Sequence, residues 1–229
     1  MARYNSNMIV AIIPAYNEQG RVRVAIKDAA RFVDRVVVVD DHSTDNTLSE
    51  AKDAGAIVLH HVINRGQGAA LQTGTDYALN ILDAEIIIHF DADGQMDADE
   101  IPMLIEPILN DESDIVLGSR FLNKKANIPL FRWLILKGGI IFTRLVSGIK
   151  VTDTHNGFRV LSRKAASEIK ITLDRMAHAS EILDLIKERE LRYVEKAVTI
   201  KYSEETLLKG QSSIGAIAIV KDVIKSKFL

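Results

Sequence analysis

Short, β-branched apolar runs alternate with helix-spaced segments through the first half of the chain. Met8–Ile13 is the first run, and Pro14 closes it. Val36–Val39 is the second, closed by Asp40 and Asp41. Ala56–Leu59, Ile86–Phe90 and Ile115–Leu117 follow. Runs this short and apolar fit strands buried on both faces of a parallel sheet. Between them, Glu18–Phe32 carries Val22, Ile26, Ala29 and Ala30 at helical spacing. A second helix runs to Ala54, with Ser43, Thr44 and Asp45 as N-cap types and Gly55 suited to its C-terminal end. Ala69–Leu82 and Glu100–Leu109 supply two more helices. Strand, turn and helix repeated at this pace predict an α/β fold, a mostly parallel central sheet with helices on both faces.

The second half is less regular. Thr152–Arg163 reads as a loop leading into a strand at Phe158–Leu161, and Ala165–Ile169 as a helix. Glu181–Glu190 reads as a charged amphipathic helix with a solvated face. Val198–Tyr202 reads as a late strand, and Ser212–Lys227 as a terminal helix. No repeat or linker divides the chain, so residues 1–229 are expected to form one domain. The formal net charge of −2 gives no pull toward nucleic acid. There are no cysteines, which excludes disulfides and thiolate metal sites and fits a reducing compartment. No signal peptide is expected after the short N-terminal apolar run. The most apolar long stretch, Ile128–Ile149, is interrupted by Arg132, Lys137 and Arg144, which argues against a spanning helix.

In open parallel sheets, ligands sit beyond the carboxyl ends of the strands. The unusual polar residues fall there. Asn17 and Glu18 follow the first strand, Asp40 and Asp41 the second, Asn64 and Arg65 the third, Asp91 and Asp93 the fourth. Asp91-Ala92-Asp93-Gly94-Gln95 is the strongest chemical signal, because two carboxylates in one loop suit a hard cation shared with phosphate oxygens. The plainer alternative is a solvated turn. Asp41 has the place of an acid that holds a nucleobase or ribose, or of a helix cap. Tyr16 has a ring to stack on a base, and Glu18 suits either a ribose or a helix N-terminus. Asn64-Arg65-Gly66-Gln67-Gly68 opens a helix as phosphate-binding loops do, but lacks the Lys-Ser/Thr pair of a Walker A loop. Arg120 and Arg159 have forks suited to phosphate, or to the acids nearby. His155 and His178 read as structural residues.

Taken together and in order, these motifs resemble family 2 glycosyltransferases of the GT-A fold. The resemblance rests on Pro14-Ala15-Tyr16-Asn17-Glu18, Val39-Asp40-Asp41, Asn64–Ala69, Asp91–Gln95, Gly118-Ser119-Arg120 and Asn156-Gly157-Phe158-Arg159. The nearest branch is that of the polyprenyl-phosphate sugar synthases, such as dolichol-phosphate mannose synthases. The resemblance implies that Pro14, Tyr16, Glu18 and Asp41 hold the nucleoside of a UDP- or GDP-sugar. It implies that Asp91, Asp93 and Gln95 hold Mg²⁺ or Mn²⁺ with the donor diphosphate. Gln67 stands on the donor side, where many relatives have Lys. Arg120 and Arg132, the latter in Pro129-Leu130-Phe131-Arg132, match binders of the lipid phosphate. Lys209, in Leu208-Lys209-Gly210-Gln211-Ser212, is carried over as a further phosphate contact. Asp153 matches the acid of the loop that ends in Gly157-Phe158-Arg159. A small membrane protein is a further partner that the resemblance admits.

Between Asp114 and Asp153 there is no acidic residue, while Arg120, Lys124, Lys125, Arg132, Lys137, Arg144 and Lys150 lie among apolar residues and the only Trp. Residues 126–150 are therefore expected to form an interfacial helical segment on a membrane surface. The plainer alternative is a core helix with snorkelling basic stems. The expected activity is inverting transfer at the cytoplasmic, inner face of a membrane, with Asp93, Asp153 and Arg120 as the catalytic set. A lipid phosphate is already an anion and needs no base, whereas a glycan hydroxyl does, and Asp153 is the base expected in that case. The rival classes are nucleotidyl transfer and a non-catalytic nucleotide-sugar-binding partner.

Overall fold

The structure is a computed structural model that describes residues 7–122, 148–154, 156–173 and 177–201. Seven strands form one sheet in the order β3-β2-β1-β4-β6-β5-β7. They are β1 (Ile9–Ala15), β2 (Arg35–Asp40), β3 (Ile57–His60), β4 (Ile86–His89), β5 (Ile115–Ser119), β6 (Arg159–Ser162) and β7 (Tyr193–Ala197). Only β6 runs against its neighbours, pairing antiparallel with both β4 and β5. The α/β, mostly parallel sheet expected from the sequence is the one found.

Helices α1 (Val22–Ala29), α2 (Thr47–Asp53) and α4 (Ile101–Leu109) cover one face. Helices α3 (Gln67–Asn80), α5 (Arg163–Glu168) and α6 (His178–Glu188) cover the other. The period-2 alternation of the strands supplies both cores. Ile9, Ala11 and Ile13 of β1 and Val36 and Val38 of β2 pack with α1 and α2, while α4 covers β5 and β6 on the same face. Val10 and Ile12, with Val37 and Val39, pack beneath α3. This is why the strands read as unbroken apolar runs.

The boundaries differ from expectation in instructive places. β1 continues through Pro14 to Ala15. The β1–β4 pairing ends at Ile12↔His89, so Pro14 faces a ladder partner only in β2, where edge-like positions tolerate proline. α2 starts at Thr47 rather than at Ser43, because the Ser43 and Asp45 side chains bind the loop after β1. The late strand lies at Tyr193–Ala197, not Val198–Tyr202. Val198 is buried, and Ile200 makes only a single bridge to Met96. α6 begins at His178, buries Ile182, Leu183 and Ile186, and is not a merely solvated face. Its Glu181 accepts the backbone N–H groups of Thr172 and Leu173 at 2.9 Å each. The expected helices at 126–150 and 212–227 fall almost wholly, or wholly, outside the described residues. No helix among the described residues is long and apolar enough to cross a membrane.

Candidate active site

Parallel β1, β2, β3, β4 and β5 all end on one edge, and antiparallel β6 begins there. The polar residues singled out above meet on this rim. The loops after β1 and β2 are stitched together. Asn17 adopts a left-handed backbone (φ 55°), and its N–H donates to Ser43 Oγ at 2.9 Å. The N–H of Glu18 donates to Thr47 Oγ1 at 2.7 Å, and Thr44 N–H donates to Asn17 Oδ1 at 2.9 Å. Asn and Asp tolerate that backbone because their short polar chains bond locally. The result is a fixed shelf on which Tyr16 stands 48% exposed, free to stack, above half-buried Pro14. Glu18 pairs with Arg21 at 2.6 Å and lies near enough to Asp91 to act on its charge.

Asp41 is buried, and its carboxylate is already well used. It accepts from the N–H groups of Arg65 (2.9 Å) and Gly66 (2.6 Å) and contacts His61 Nδ1 at 2.7 Å. The other imidazole nitrogen of His61 lies 3.0 Å from Thr73 Oγ1. Asp41 therefore fixes the glycine loop that opens α3, a service that sequence reading missed. His61, just past a strand end, was the available signal.

Gln67, the first residue of α3, donates to Asp91 Oδ1 at 2.8 Å. Asp93 accepts from Gln95 twice, from its backbone N–H at 3.0 Å and its side-chain amide at 2.8 Å. Burial, reinforced by the Asp93 carboxylate, pushes the Asp91 carboxyl up to about 7. Two acids in one loop, one of them holding its proton near neutrality even against the charge of Arg159, make a centre that can take up further positive charge. Among the described residues no group of three or more acids or histidines converges to hold a metal alone. The donor set instead fits the sparse protein contribution to Mg²⁺ or Mn²⁺, one or two carboxylates completed by phosphate and water.

The loop before β6 closes this centre. A Cβ on Gly157 would stand 2.6 Å from Asp91 Oδ2 and 3.1 Å from Met96 Cε. Gly157→Ala is expected to displace the Asp91 carboxylate and to weaken Mn²⁺ affinity about tenfold or more, as supporting-shell changes do. Titration calorimetry with Mn²⁺ and a nucleoside diphosphate checks this, and unchanged affinity would show that the loop has room to move.

On the far side, Arg120 and Asp153 form a buried fork. Asp153 Oδ2 accepts from Arg120 Nε at 2.6 Å and from its backbone N–H at 3.1 Å, and Oδ1 accepts from Nη2 at 3.2 Å. Glu195 on β7 holds the loop in place by accepting from Thr152 N–H at 2.8 Å and Asp153 N–H at 3.3 Å. Glu195 had no signal in the sequence, because its strand was placed too late. Between the two halves of the site lies Arg159, 2% exposed, whose guanidinium burial lowers to a pKa of about 10 against the attraction of Asp91 and Asp153. His89, opposite it on β4, is held neutral: burial first, then Arg159 and His178, lower it to about 3. His178 is buried as well, and His155 lies outside the described residues. Pro14, Tyr16, Glu18, Asp41, Gln67, Asp91, Asp93, Gln95, Arg120 and Asp153 thus share one rim. Arg132 and Lys209 lie outside the described residues.

This sheet, with a two-carboxylate loop at its strand ends, has the GT-A fold that solved structures share. Glucosyl-3-phosphoglycerate synthase from Mycobacterium tuberculosis, in complex with Mn²⁺, uridine diphosphate and phosphoglyceric acid, superposes with a TM-score of 0.70 at 18% identity, covering 96% of this chain and 78% of that one. The model of glycosyl transferase family 2 matches residues 10–170, and the chain belongs to that family. It is 32% identical over 89% of its length to a UDP-N-acetylglucosamine–dolichyl-phosphate N-acetylglucosaminyltransferase of Methanococcus voltae, of which it spans 89%. It is 31% identical over 89% of its length to a dolichol-phosphate mannosyltransferase of Pyrococcus furiosus, of which it spans 60%.

Proposed function

We propose that this glycosyltransferase moves a sugar from a UDP- or GDP-sugar to a polyprenyl phosphate, with inversion, at the cytoplasmic face of a membrane on which it is peripheral. The observation that carries the reading is the division of the rim: an acid pair that can take up further positive charge on one side, and a buried arginine fork on the other. The names of the relatives support the acceptor class. Pro14, Tyr16, Glu18 and Asp41 line the nucleoside side, with Asp41 acting partly through the Arg65–Gly66 loop that it fixes. Asp91, Asp93 and Gln95 would hold Mg²⁺ or Mn²⁺ with the diphosphate. A divalent cation there supplies charge neutralisation for the leaving diphosphate. Gln67 orients Asp91 by donating to it. Arg120 receives the acceptor phosphate, with Arg132 and Lys209 as further contacts, and the basic, apolar segment at 126–150 rests on the lipid surface.

A phosphate acceptor attacks as the anion it already is, so no side chain must take a proton from it. Asp153 then serves to hold Arg120, not as a base. Asp153→Asn removes the charge that holds Arg120, so it is expected to weaken binding of farnesyl phosphate through a raised KM while kcat stays within about tenfold, as no proton has to be taken from a phosphate. With a hydroxyl acceptor the same change is expected to cost about 10²–10⁴-fold, the worth of a general base. Loss of kcat on that second scale with the lipid phosphate would contradict the reading and make Asp153 the base of a hydroxyl-directed enzyme.

A further inference from the structure

Arg159 is a buried cation with no counter-ion at contact distance. Its guanidinium makes no hydrogen bond and no ion pair among the described residues, and Nη1 is fully enclosed. Asn156 Nδ2 and His89 Nδ1, nearby on the same loop and on the paired strand, are likewise buried without partners. An unpaired buried charge is costly, and proteins keep one only where something compensates. The topology shows what surrounds it. β6 lies between β4 and β5, so Arg159 stands opposite both His89 and Leu117. Asp91 lies just past His89, and Arg120 just past Leu117. Arg159 is attracted by Asp91 on the donor side and by Asp153 on the acceptor side, and is closed on neither.

Asp153 is meanwhile saturated by Arg120, through both of its oxygens. Arg120 cannot offer that fork to a phosphate while Asp153 holds it. We propose that Arg159 is a positioning residue that exchanges counter-ions. It balances Asp91 while the donor site is empty, and turns to Asp153 once a divalent cation and a nucleoside diphosphate occupy Asp91, which loosens Arg120 for an incoming phosphate. The inference rests on the donor and acceptor sides assigned above. The driving force is competition for charge: a divalent cation on Asp91 neutralises the carboxylate that attracts Arg159 and leaves Asp153 as its protein counter-ion, and two guanidinium groups cannot share one carboxylate as favourably as one. No bond is made or broken, so the exchange is a coupling between two binding sites, and it must be reciprocal.

The test uses the full chain with ¹⁵N-labelled arginine side chains, following the Nε–H of Arg120 by NMR while Mg²⁺ is added with UDP, and in parallel with GDP. In the wild type the Nε–H is expected to be protected from solvent exchange in the free protein and to exchange about tenfold faster once nucleotide binds. Arg159→Met should abolish that change, and Arg159→Lys, which keeps the charge without the fork, should reduce it. The affinity of the wild type for farnesyl phosphate should rise about tenfold when Mg²⁺ and nucleotide are present, within the usual range of such couplings. That rise should be absent in Arg159→Met. A purely structural arginine would lower the melting temperature on replacement and leave the coupling intact in the folded fraction, and that result would overturn the proposal. So would an Arg120 Nε–H that ignores nucleotide in the wild type. Loosening of Arg120 with no change in phosphate affinity would uphold the exchange and overturn the acceptor reading instead.

Discussion

Asp91→Asn is expected to abolish sugar transfer and, in the metal-free protein, to raise the melting temperature. The two effects have one cause. Burial and the neighbouring Asp93 hold the Asp91 carboxyl up at about 7 in the folded chain, against an ordinary value of 3.8. The folded state therefore keeps a proton that the unfolded state gives up. The linkage has a definite sign. Below the ordinary value both states are protonated and the group costs nothing. As pH rises from about 4 to about 7 the unfolded state is increasingly favoured, and above about 7 the full cost is present. A pKa unit is worth about 1.4 kcal/mol, and partial exposure of the side chain reduces the sum to about 1–3 kcal/mol. Asparagine removes that cost and can still accept the Gln67 amide. The melting temperature of Asp91→Asn should exceed that of the wild type by several degrees at about pH 8 and match it near pH 4, at about 2–4 °C per kcal/mol for a chain of this size. Mn²⁺ should stabilise the wild type at the higher pH and leave the variant unmoved. Transfer should fall by about 10³-fold or more, since the neutralisation of a leaving diphosphate is worth several kcal/mol. Scanning calorimetry across pH and a diphosphate-release assay check the pair. A variant less stable than the wild type at about pH 8 would mean that Asp91 is not an electrostatic burden.

Gly74→Ala is expected to destabilise the scaffold strongly. α3 lies flush on the sheet beneath the donor site, and a Cβ at position 74 would overlap the Ile12 side chain and stand 3.1 Å from Val39 Cγ2. Both neighbours are fully buried in strands that pair on both sides, so neither can move away. Forcing a methyl group into such a contact costs about 2–3 kcal/mol. The expected fall in melting temperature is about 5–10 °C. Because α3 also carries Gln67 and Thr73, a shifted helix should weaken nucleotide binding in the fraction that folds. A melting temperature within a degree of the wild type would show that α3 rides further from the sheet than its glycine implies.

Much of this arrangement was legible in the sequence because it follows from burial on two faces. The four valines from Val36 to Val39 are apolar at every position since α3 covers one pair and the α1–α2 side of the sheet the other. The rim rule then located Glu18, Asp41, Asp91 and Asp93 together without any contact being known. What failed was local chemistry with two outlets. Ser43 reads as a helix cap but binds the loop after β1, and Asp45 binds both that loop and the N–H of Thr47, where the helix starts. The same residue types serve both purposes, and only tertiary contact decides between them. β7 was misplaced because Tyr193–Ala197 is half-buried throughout and contains Glu195 and Lys196 at an edge of the sheet, where periodicity is weakest. The fork of Arg120 suits either a phosphate or an acid of the rim, and in the structure it binds an acid, Asp153. The fork of Arg159 suits the same two partners, and its burial places it behind the site, attracted by Asp91 and Asp153.

The acid pair at the strand ends is expected to drive transfer of a sugar to a lipid phosphate. The most direct measurement is nucleoside diphosphate release by the purified protein supplied with Mn²⁺ or Mg²⁺, a panel of UDP- and GDP-sugars, and a short polyprenyl phosphate. Release is expected with one donor of the panel, dependent on the lipid and lost in Asp93→Ala. Release that is indifferent to the lipid, or that survives Asp93→Ala, would contradict it.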